Sequence, residues 1–387
     1  MSLLVALLLA PFILVTVGFA VELFVGLRPL RAMPPAASDG ASAVIVVPAH
    51  NEEAMIGDSL AALKDAAGTR AQILVIADNC TDATADIARK TGVDVAERTD
   101  PALRGKGFAL AFARETLRAT PPNVVLIMDA DCRTDSASIS RLIDACVSSD
   151  RPCQATNLQT PVPDGTPAVQ LSTFAFFIKN VVRQRSLQRL AGRIHLLGTG
   201  MAFPWAAFDA AGLATANVTE DLQIGIQLAD AGQAGVFIED AAVWSDPETE
   251  SNMLAQRGRW EGGFLQNALH AAPRAFGRSL MRGDVRGLWA AINLLVPPLA
   301  LLVLLDFAAL IVAVLLLVVG ASVWPIALLS GALFLAGVGL ACAWYLGGRM
   351  FVPARSLARI PAYVLMKVPM YLGFAKRGTP RDWIRTR

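Results

Sequence analysis

Charge is scarce in this chain. Asp, Glu, Lys and Arg make up 17% of its 387 residues against 54% hydrophobic ones, and the mean hydropathy is positive. An ordinary globular protein carries about 25% charged residues, so a membrane protein with a folded polar part is expected. Histidine is scarcer still: only His50, His195 and His270 occur, none in an H-E-x-x-H setting, which argues against a zinc site. The five cysteines, Cys80, Cys132, Cys146, Cys153 and Cys342, have neither paired C-x-x-C spacing nor an even count. They read as reduced, cytosolic thiols rather than a disulfide framework. The folded stretch has no block of consecutive Lys and Arg and the net charge is +2, so no nucleic-acid partner is expected.

What is present is organised by hydrophobic runs. Ser2 to Leu27 is apolar apart from Thr16 and Glu22, and about 20 such residues cross a bilayer as a helix. Arg28 and Arg31 follow that run instead of preceding it, which disfavours a cleaved leader. It also places the next residues in the cytoplasm and the N-terminus outside. We therefore expect a spanning helix over 1–27, a Pro-, Ala- and Ser-rich linker over 28–42, and a cytoplasmic domain over 43–275. Two more spans are expected within 276–348, at about 290–319 and 323–346, with Pro297-Pro298 as a break and a tight turn at Gly320 to Ser322. The segment 349–387 is basic, with Arg349, Arg355, Arg359, Lys367, Lys376, Arg377, Arg381, Arg385 and Arg387, and returns the C-terminus to the cytoplasm. Ile360 to Phe374 within it is short and proline-broken, and is expected to lie at the interface.

Between the spans, short apolar runs alternate with amphipathic stretches. VIVVP at Val44 to Pro48, ILVIAD at Ile73 to Asp78, VDVAER at Val93 to Arg98 and VVLIMDAD from Val124 have strand character. Glu52 to Ala67, Ala83 to Thr91 and Gly107 to Leu117 have helical spacing. The expectation is an α/β domain with a doubly wound, mainly parallel sheet. Three of the runs end in polar residues: His50, Asn51 and Glu52; Asp78 and Asn79; Asp129 and Asp131. Such strand ends are where ligands sit in open α/β sheets. Two carboxylates one residue apart suit a hard cation, Mg²⁺ or Mn²⁺, shared with phosphate oxygens. A surface loop after a strand also carries such pairs. Val169 to Leu190 is expected as one aromatic helix with Lys179, Arg183, Arg185 and Arg189, packed on the sheet or lying on the membrane. Thr219 is expected to cap a helix whose first turn holds Glu220 and Asp221, a role that would explain both acids without chemistry. Arg257, Arg259 and Trp260 cluster on another helix, which in the plainest reading is a solvated basic face.

Six motifs stand in order: PAHNEE (Pro48 to Glu53), ADNCTD (Ala77 to Asp82), RGKG (Arg104 to Gly107), DAD (Asp129 to Asp131), TED (Thr219 to Asp221) and QRGRW (Gln256 to Trp260). Together they resemble the membrane-bound family 2 glycosyltransferases, the group of cellulose, hyaluronan and chitin synthases, and most of all the exopolysaccharide-assembly transferases. The resemblance covers roughly Ala43 to Phe264. It implies a GT-A type nucleotide-diphospho-sugar transferase domain and an inverting transfer. By that resemblance Pro48, His50, Asn51, Glu52 and Asp78 line the nucleoside pocket, and Arg104 and Lys106 meet the diphosphate or the base. Asp129 and Asp131 hold nucleotide and metal, Gln256 and Arg259 the donor phosphate, and Asp221 is the base. Trp260, Glu220 and the Gly198-Thr199-Gly200 turn are placed at the acceptor.

The function so implied is transfer of a sugar, from a UDP-sugar by preference, to a polyprenyl-linked oligosaccharide or a polysaccharide acceptor. The site would be the cytoplasmic face of a bacterial inner or plasma membrane, among membrane lipids and other polysaccharide-assembly or export proteins. A processive synthase is the nearest alternative, though three spans are few for a translocation channel. A nucleotide-regulated transporter or an inactive scaffold is more distant, since intramembrane polar residues are few and every expected carboxylate is present.

Overall fold

The computed structural model describes residues 2–34, 38, 40–318, 320 and 322–379. Pro35 to Ala37 and Asp39 of the expected linker, Val319 and Ala321 of the expected span end and turn, and Arg381, Arg385 and Arg387 of the basic tail lie outside the described residues. The chain forms two compact units that interleave along the sequence. One holds residues 30–160 and 192–247; the other holds residues 2–29, 161–191 and 248–379. The stretch 43–275 is therefore not one unit, because 161–191 and 248–275 pack with the apolar helices.

In the first unit β1 (Ala43–Ala49), β2 (Gln72–Asp78), β3 (Asp94–Arg98), β4 (Val124–Ile127), β5 (Cys132–Thr134), β6 (Cys153–Gln159), β7 (Met201–Pro204) and β8 (Val236–Ser245) make one sheet. Its order is β3-β2-β1-β4-β7-β6-β8-β5. The pairs β3-β2, β2-β1, β1-β4 and β6-β8 are parallel, while β7 runs against both neighbours and β5 against β8. This is the expected α/β, mostly parallel architecture. β1 explains its own position: Ala43, Ile45, Val47 and Ala49 enter the core on one face and Val44 and Val46 the core on the other. A strand covered on both faces must be apolar throughout. From β1 the chain builds outward through β2 and β3, then crosses to β4 on the other side. The carboxyl ends of β1 and β4 thus flank a switch point, where a crevice opens.

The helices after β1 and β3 are Ile56–Ala67 and Lys106–Leu117. The first begins four residues later than its periodicity indicates, because Asn51 to Glu53 are tied to the loop after β2. Strands β6 and β8 were not visible in the hydrophobic pattern. β6 is buried along its whole length yet carries Gln154, Thr156, Asn157 and Gln159. Two of its polar side chains donate to backbone: Thr156 to Glu239 O at 3.1 Å and Asn157 to Leu197 O at 3.3 Å.

The second unit is helical. Helices Ser2–Gly26, Leu299–Val318 and Trp324–Leu346 are long and apolar enough to span a membrane. The expected span at about 290–319 is two helices, Val285–Leu295 and Leu299–Val318, parted at Pro297-Pro298 where the helix N–H ladder cannot continue. Gly339 lets two of the spans approach, since a Cβ there would lie 2.9 Å from Leu23 Cβ. Asp306 is fully buried and accepts from Thr16 Oγ1 at 2.7 Å. Ile360 to Phe374 forms two short helices, Ile360–Met366 and Val368–Arg377, meeting at Lys367.

The expected helix over Val169 to Leu190 is present with one irregularity. Pro167–Phe177 and Arg183–Ala191 are α-helical, but Ile178–Val182 between them is a π-turn. Its backbone lies against the N-terminal helix so closely that a Cβ on Gly26 would meet Val182 O at 2.0 Å. Three of its basic residues find partners within the helical unit. Arg185 donates to Gly26 O at 3.3 Å, and Arg189 to Val25 O and Pro29 O at 2.7 Å each. They occupy the carbonyls that the N-terminal helix leaves unpaired at its C-terminus, where cations are favoured. Arg183 instead pairs with Glu22 at 2.7 Å, whose other oxygen accepts from Asn293 at 2.6 Å.

Candidate active site

The site in the sheet unit is assembled from three strand ends and one strap. After β4, Asp129 and Asp131 leave the sheet, and their ligand oxygens lie with Cys132 Sγ within 4.8 Å of one another. Cys132 is buried, and burial followed by the two aspartates drives its thiol pKa well up. The sulfur is therefore a protonated neighbour and the donor set is two carboxylates, which suits an oxygen-seeking Mg²⁺ or Mn²⁺.

Lys106, the first residue of helix Lys106–Leu117, reaches across to this pair. Its ammonium donates to Asp129 Oδ1 and, at 2.8 Å, to Gly198 O. Burial opposes that charge, but Asp129, Glu220 and Asp221 outweigh it and raise the Lys106 pKa. Gly105 precedes it at φ +123°, and a Cβ on Gly107 would meet Leu213 O at 2.5 Å. The two glycines of RGKG thus serve the turn and a close backbone approach.

The strap is Gly198-Thr199-Gly200. Thr199 Oγ1 accepts from Asp129 N at 3.1 Å, and Gly200 N donates to Ile127 O at 2.9 Å. Gly200 has φ +64°, and a Cβ there would lie 2.7 Å from Val243 Cγ2. At Gly198 a Cβ would lie 3.3 Å from Asp221 Oδ2 and 3.6 Å from Lys106 Nζ. The strap therefore brings DAD, RGKG and TED to one point. Sequence reasoning missed its anchor, Gln154, whose Oε1 accepts from Leu197 N and whose Nε2 donates to Thr199 O, both at 2.8 Å.

Asp221 and Glu220 open helix Glu220–Asp230. Thr219 holds the cap position but makes no side-chain cap bond, and Asp221 Oδ1 accepts from Leu222 N at 2.8 Å. Thr219 thus stands at the expected cap position with Glu220 and Asp221 in the first turn, but it does not cap through its side chain. Glu220 is buried, and burial together with the Asp221 charge pushes its pKa up to about 8, against the pull of Lys106.

Asp78 closes β2 and is 6% exposed. Arg98, at the end of β3, donates to its Oδ1 at 2.5 Å and packs over Phe108. Arg98 was also missed, although VDVAER ends in polar residues like its neighbours. Nearby, His50 Nδ1 lies 2.7 Å from Asp78 O, and Asn51 Oδ1 accepts from Thr81 N at 2.8 Å. Glu52 N donates to Thr84 Oγ1 at 2.7 Å. The loops after β1 and β2 are cross-braced by PAHNEE and ADNCTD residues, with Pro48 half-buried in β1. Arg104 is exposed and its Nε donates to Pro101 O, so it does not join Lys106 at the carboxylates.

QRGRW lies in the helical unit, on helix Glu250–Arg282. Gln256 donates to Glu248 at 3.3 Å, and burial lowers the pKa of the half-buried Arg259 against the opposing pull of the Glu248 charge. Trp260 packs on Phe176, ring centroids 5.7 Å apart. The solvated basic face is corrected: Arg257 is buried, donating from Nε to Ser172 Oγ at 2.7 Å.

Residues 41–263 match the family described as glycosyltransferase like family 2, and the chain belongs to that family. An uncharacterized glycosyltransferase of Mycobacterium tuberculosis strain H37Rv is 35% identical over 104 residues, 27% of this chain and 43% of that one. An uncharacterized protein of Methanocaldococcus jannaschii is 33% identical over 99 residues, 26% of this chain and 39% of that one. The chain thus spans about two fifths of the length of these relatives. Over 97% of this chain and 99% of the other, the structure is similar to the mannosyltransferase PcManGT of Pyrobaculum calidifontis, solved with GDP-Man and Mn²⁺, with a TM-score of 0.56 at 15% identity. That likeness shows the fold, which is GT-A-like.

Proposed function

We propose that the protein is an inverting glycosyltransferase that moves a sugar from a nucleotide-diphospho-sugar, a UDP-sugar by preference, to a polyprenyl-linked or polysaccharide acceptor at the cytoplasmic membrane face. The observation that carries this reading is the meeting at Lys106 of Asp129, the Gly198 carbonyl and the Asp221 carboxylate. It sets a donor-side carboxylate pair beside a second acid suited to take a proton. In this reading Asp129 and Asp131 hold Mg²⁺ or Mn²⁺, which when bound supplies positive charge against the departing diphosphate. Asp78, fixed by Arg98, accepts hydrogen bonds from the base or ribose.

Asp221 takes the proton of the attacking acceptor hydroxyl as that oxygen bonds the anomeric carbon and the bond to the nucleoside diphosphate breaks. Attack opposite the leaving group inverts the centre. Glu220, held protonated to about pH 8, adds a hydrogen-bond donor rather than a second negative charge beside Asp221. The three spanning helices, with the N-terminus outside and the sheet unit inside, tether the reaction to the membrane.

The test is transfer of radiolabelled sugar from a panel of UDP- and GDP-sugars by the purified full chain. Asp221→Asn is expected to lower kcat by at least about 10²-fold, the low end of what general-base catalysis contributes, with donor binding unchanged. Transfer at the normal rate by that variant overturns the mechanism.

A further inference from the structure

Gln154 is the second residue of β6 and is fully buried. Burying an amide side chain is costly unless its polar atoms find partners, and here both do. Its Oε1 accepts from Leu197 N at 2.8 Å. Its Nε2 donates to Thr199 O at 2.8 Å, to Ala155 O at 3.0 Å and, more loosely, to Gly200 O at 3.3 Å. These partners fix the orientation of the amide, because a backbone N–H needs the oxygen and the carbonyls need the NH₂ group.

The sheet explains why a side chain is needed at this point. β6 pairs with β7 through Cys153 with Ala202 and Gln154 with Met201, and Ala155 N adds a bond to Gly200 O at 2.8 Å. Before Met201 the chain leaves that ladder, since Gly198 at φ +85° and Gly200 at φ +64° turn the backbone aside. The Gln154 amide continues where the ladder stops. It holds the residue before Gly198 by its N–H and the residue after Gly198 by its carbonyl. Gly198 lies between the two holds, with its own carbonyl 2.8 Å from the Lys106 ammonium. Thr199, gripped by the same amide, turns its hydroxyl to Asp129 N at 3.1 Å.

We infer that Gln154 is a positioning residue for sugar transfer: by clamping the strap on both sides of Gly198 it sets where the Lys106 ammonium stands between Asp129 and Asp221. Fully buried, it acts through the backbone of Gly198 and Thr199 and not on a ligand. Shifting the strap moves the Gly198 carbonyl off Lys106 and the Thr199 hydroxyl off Asp129 together, and a misplacement of about 1 Å can lower a rate about 10²-fold. The inference rests on the transferase reading, since the reaction it serves is the one proposed for this site.

Gln154→Met in the full chain keeps the side-chain length and removes both bonding groups. It is expected to lower kcat for transfer from a UDP-sugar about ten- to hundredfold, with KM for the donor within about twofold of the parent, because Asp78 and Arg98 stand on β2 and β3 away from the strap. Hydrogen exchange at the Asp129 amide, read by mass spectrometry with residue-level fragmentation, is expected to quicken at least about tenfold. A glutamine that only braced β6 would change the melting temperature and leave both readouts at parent values. Gln154→Glu covers the case in which the Met variant does not fold. As a neutral acid it keeps an acceptor for Leu197 N and a donor for Thr199 O, whereas its carboxylate would face three carbonyls. Its kcat relative to the parent is therefore expected to fall at least about tenfold as pH rises from about 5 to about 9. Unchanged kcat in Gln154→Met, unchanged exchange at Asp129, or a Glu-to-parent ratio flat with pH each overturns the inference. A parent that transfers no sugar from any UDP- or GDP-sugar defeats the transferase reading alone, and exchange at Asp129 then still decides whether Gln154 positions the strap.

Discussion

Lys106 and Asp129, 23 residues apart in sequence, form an ion pair whose ammonium also holds the Gly198 carbonyl. One side chain therefore links the carboxylate pair after β4 to the strap that touches Asp221. A divalent cation entering at Asp129 competes with a charge already there.

Replacing Lys106 tests that competition. Lys106→Met is expected to tighten Mn²⁺ binding in the absence of donor by about tenfold, the worth of one charge-assisted hydrogen bond, while lowering sugar transfer. Electron paramagnetic resonance of free Mn²⁺ reads the first effect. Equal or weaker Mn²⁺ affinity in the variant would show that the ammonium does not compete for Asp129.

The Asp78–Arg98 pair makes a second case, because side chains 9% and 11% exposed are poorly screened. Removing Arg98 leaves a carboxylate in the protein interior without that partner. Arg98→Met is expected to cost roughly 3–5 kcal/mol, and the double variant Asp78→Asn, Arg98→Met to recover much of it. Thermal unfolding in detergent reads both. A double variant as unstable as the single one would mean that the pair is not the source of the cost.

Glu220 yields a pH dependence of known sign. Its folded pKa, about 8, lies above its ordinary value of 4.5. The folded state holds the proton more tightly, so its stabilising contribution is complete below about 4.5 and is lost as pH rises through about 8. In Glu220→Gln the melting temperature is expected to rise relative to the parent between those limits. Parallel melting curves for parent and variant across that range would contradict the burial of an ionisable Glu220.

Much of the candidate site was legible because its residues stand in motifs at strand ends, and apolar periodicity locates strand ends. β6 escaped notice because hydrophobic pattern cannot reveal a buried strand whose Gln154 and Asn157 donate to the backbone carbonyls of Thr199 and Leu197. The partners of the basic run after Val182 were hidden for a related reason. Charge pattern says that cations seek negative partners, and those partners were helix-end carbonyls 159 to 164 residues away in the chain.

By itself the sequence determined the helices long and apolar enough to span a membrane, the alternating strands and the residue types at their ends, since these follow from local hydrophobic period and segment length. Tertiary structure alone decided which of those residues meet. Lys106 turned to Asp129 while Arg104 stayed at the surface, Arg98 rather than a neighbour took Asp78, and Arg189 found the carbonyls of Val25 and Pro29. Each outcome depends on long-range contacts that bury charge beside a specific partner, and no local pattern encodes that choice.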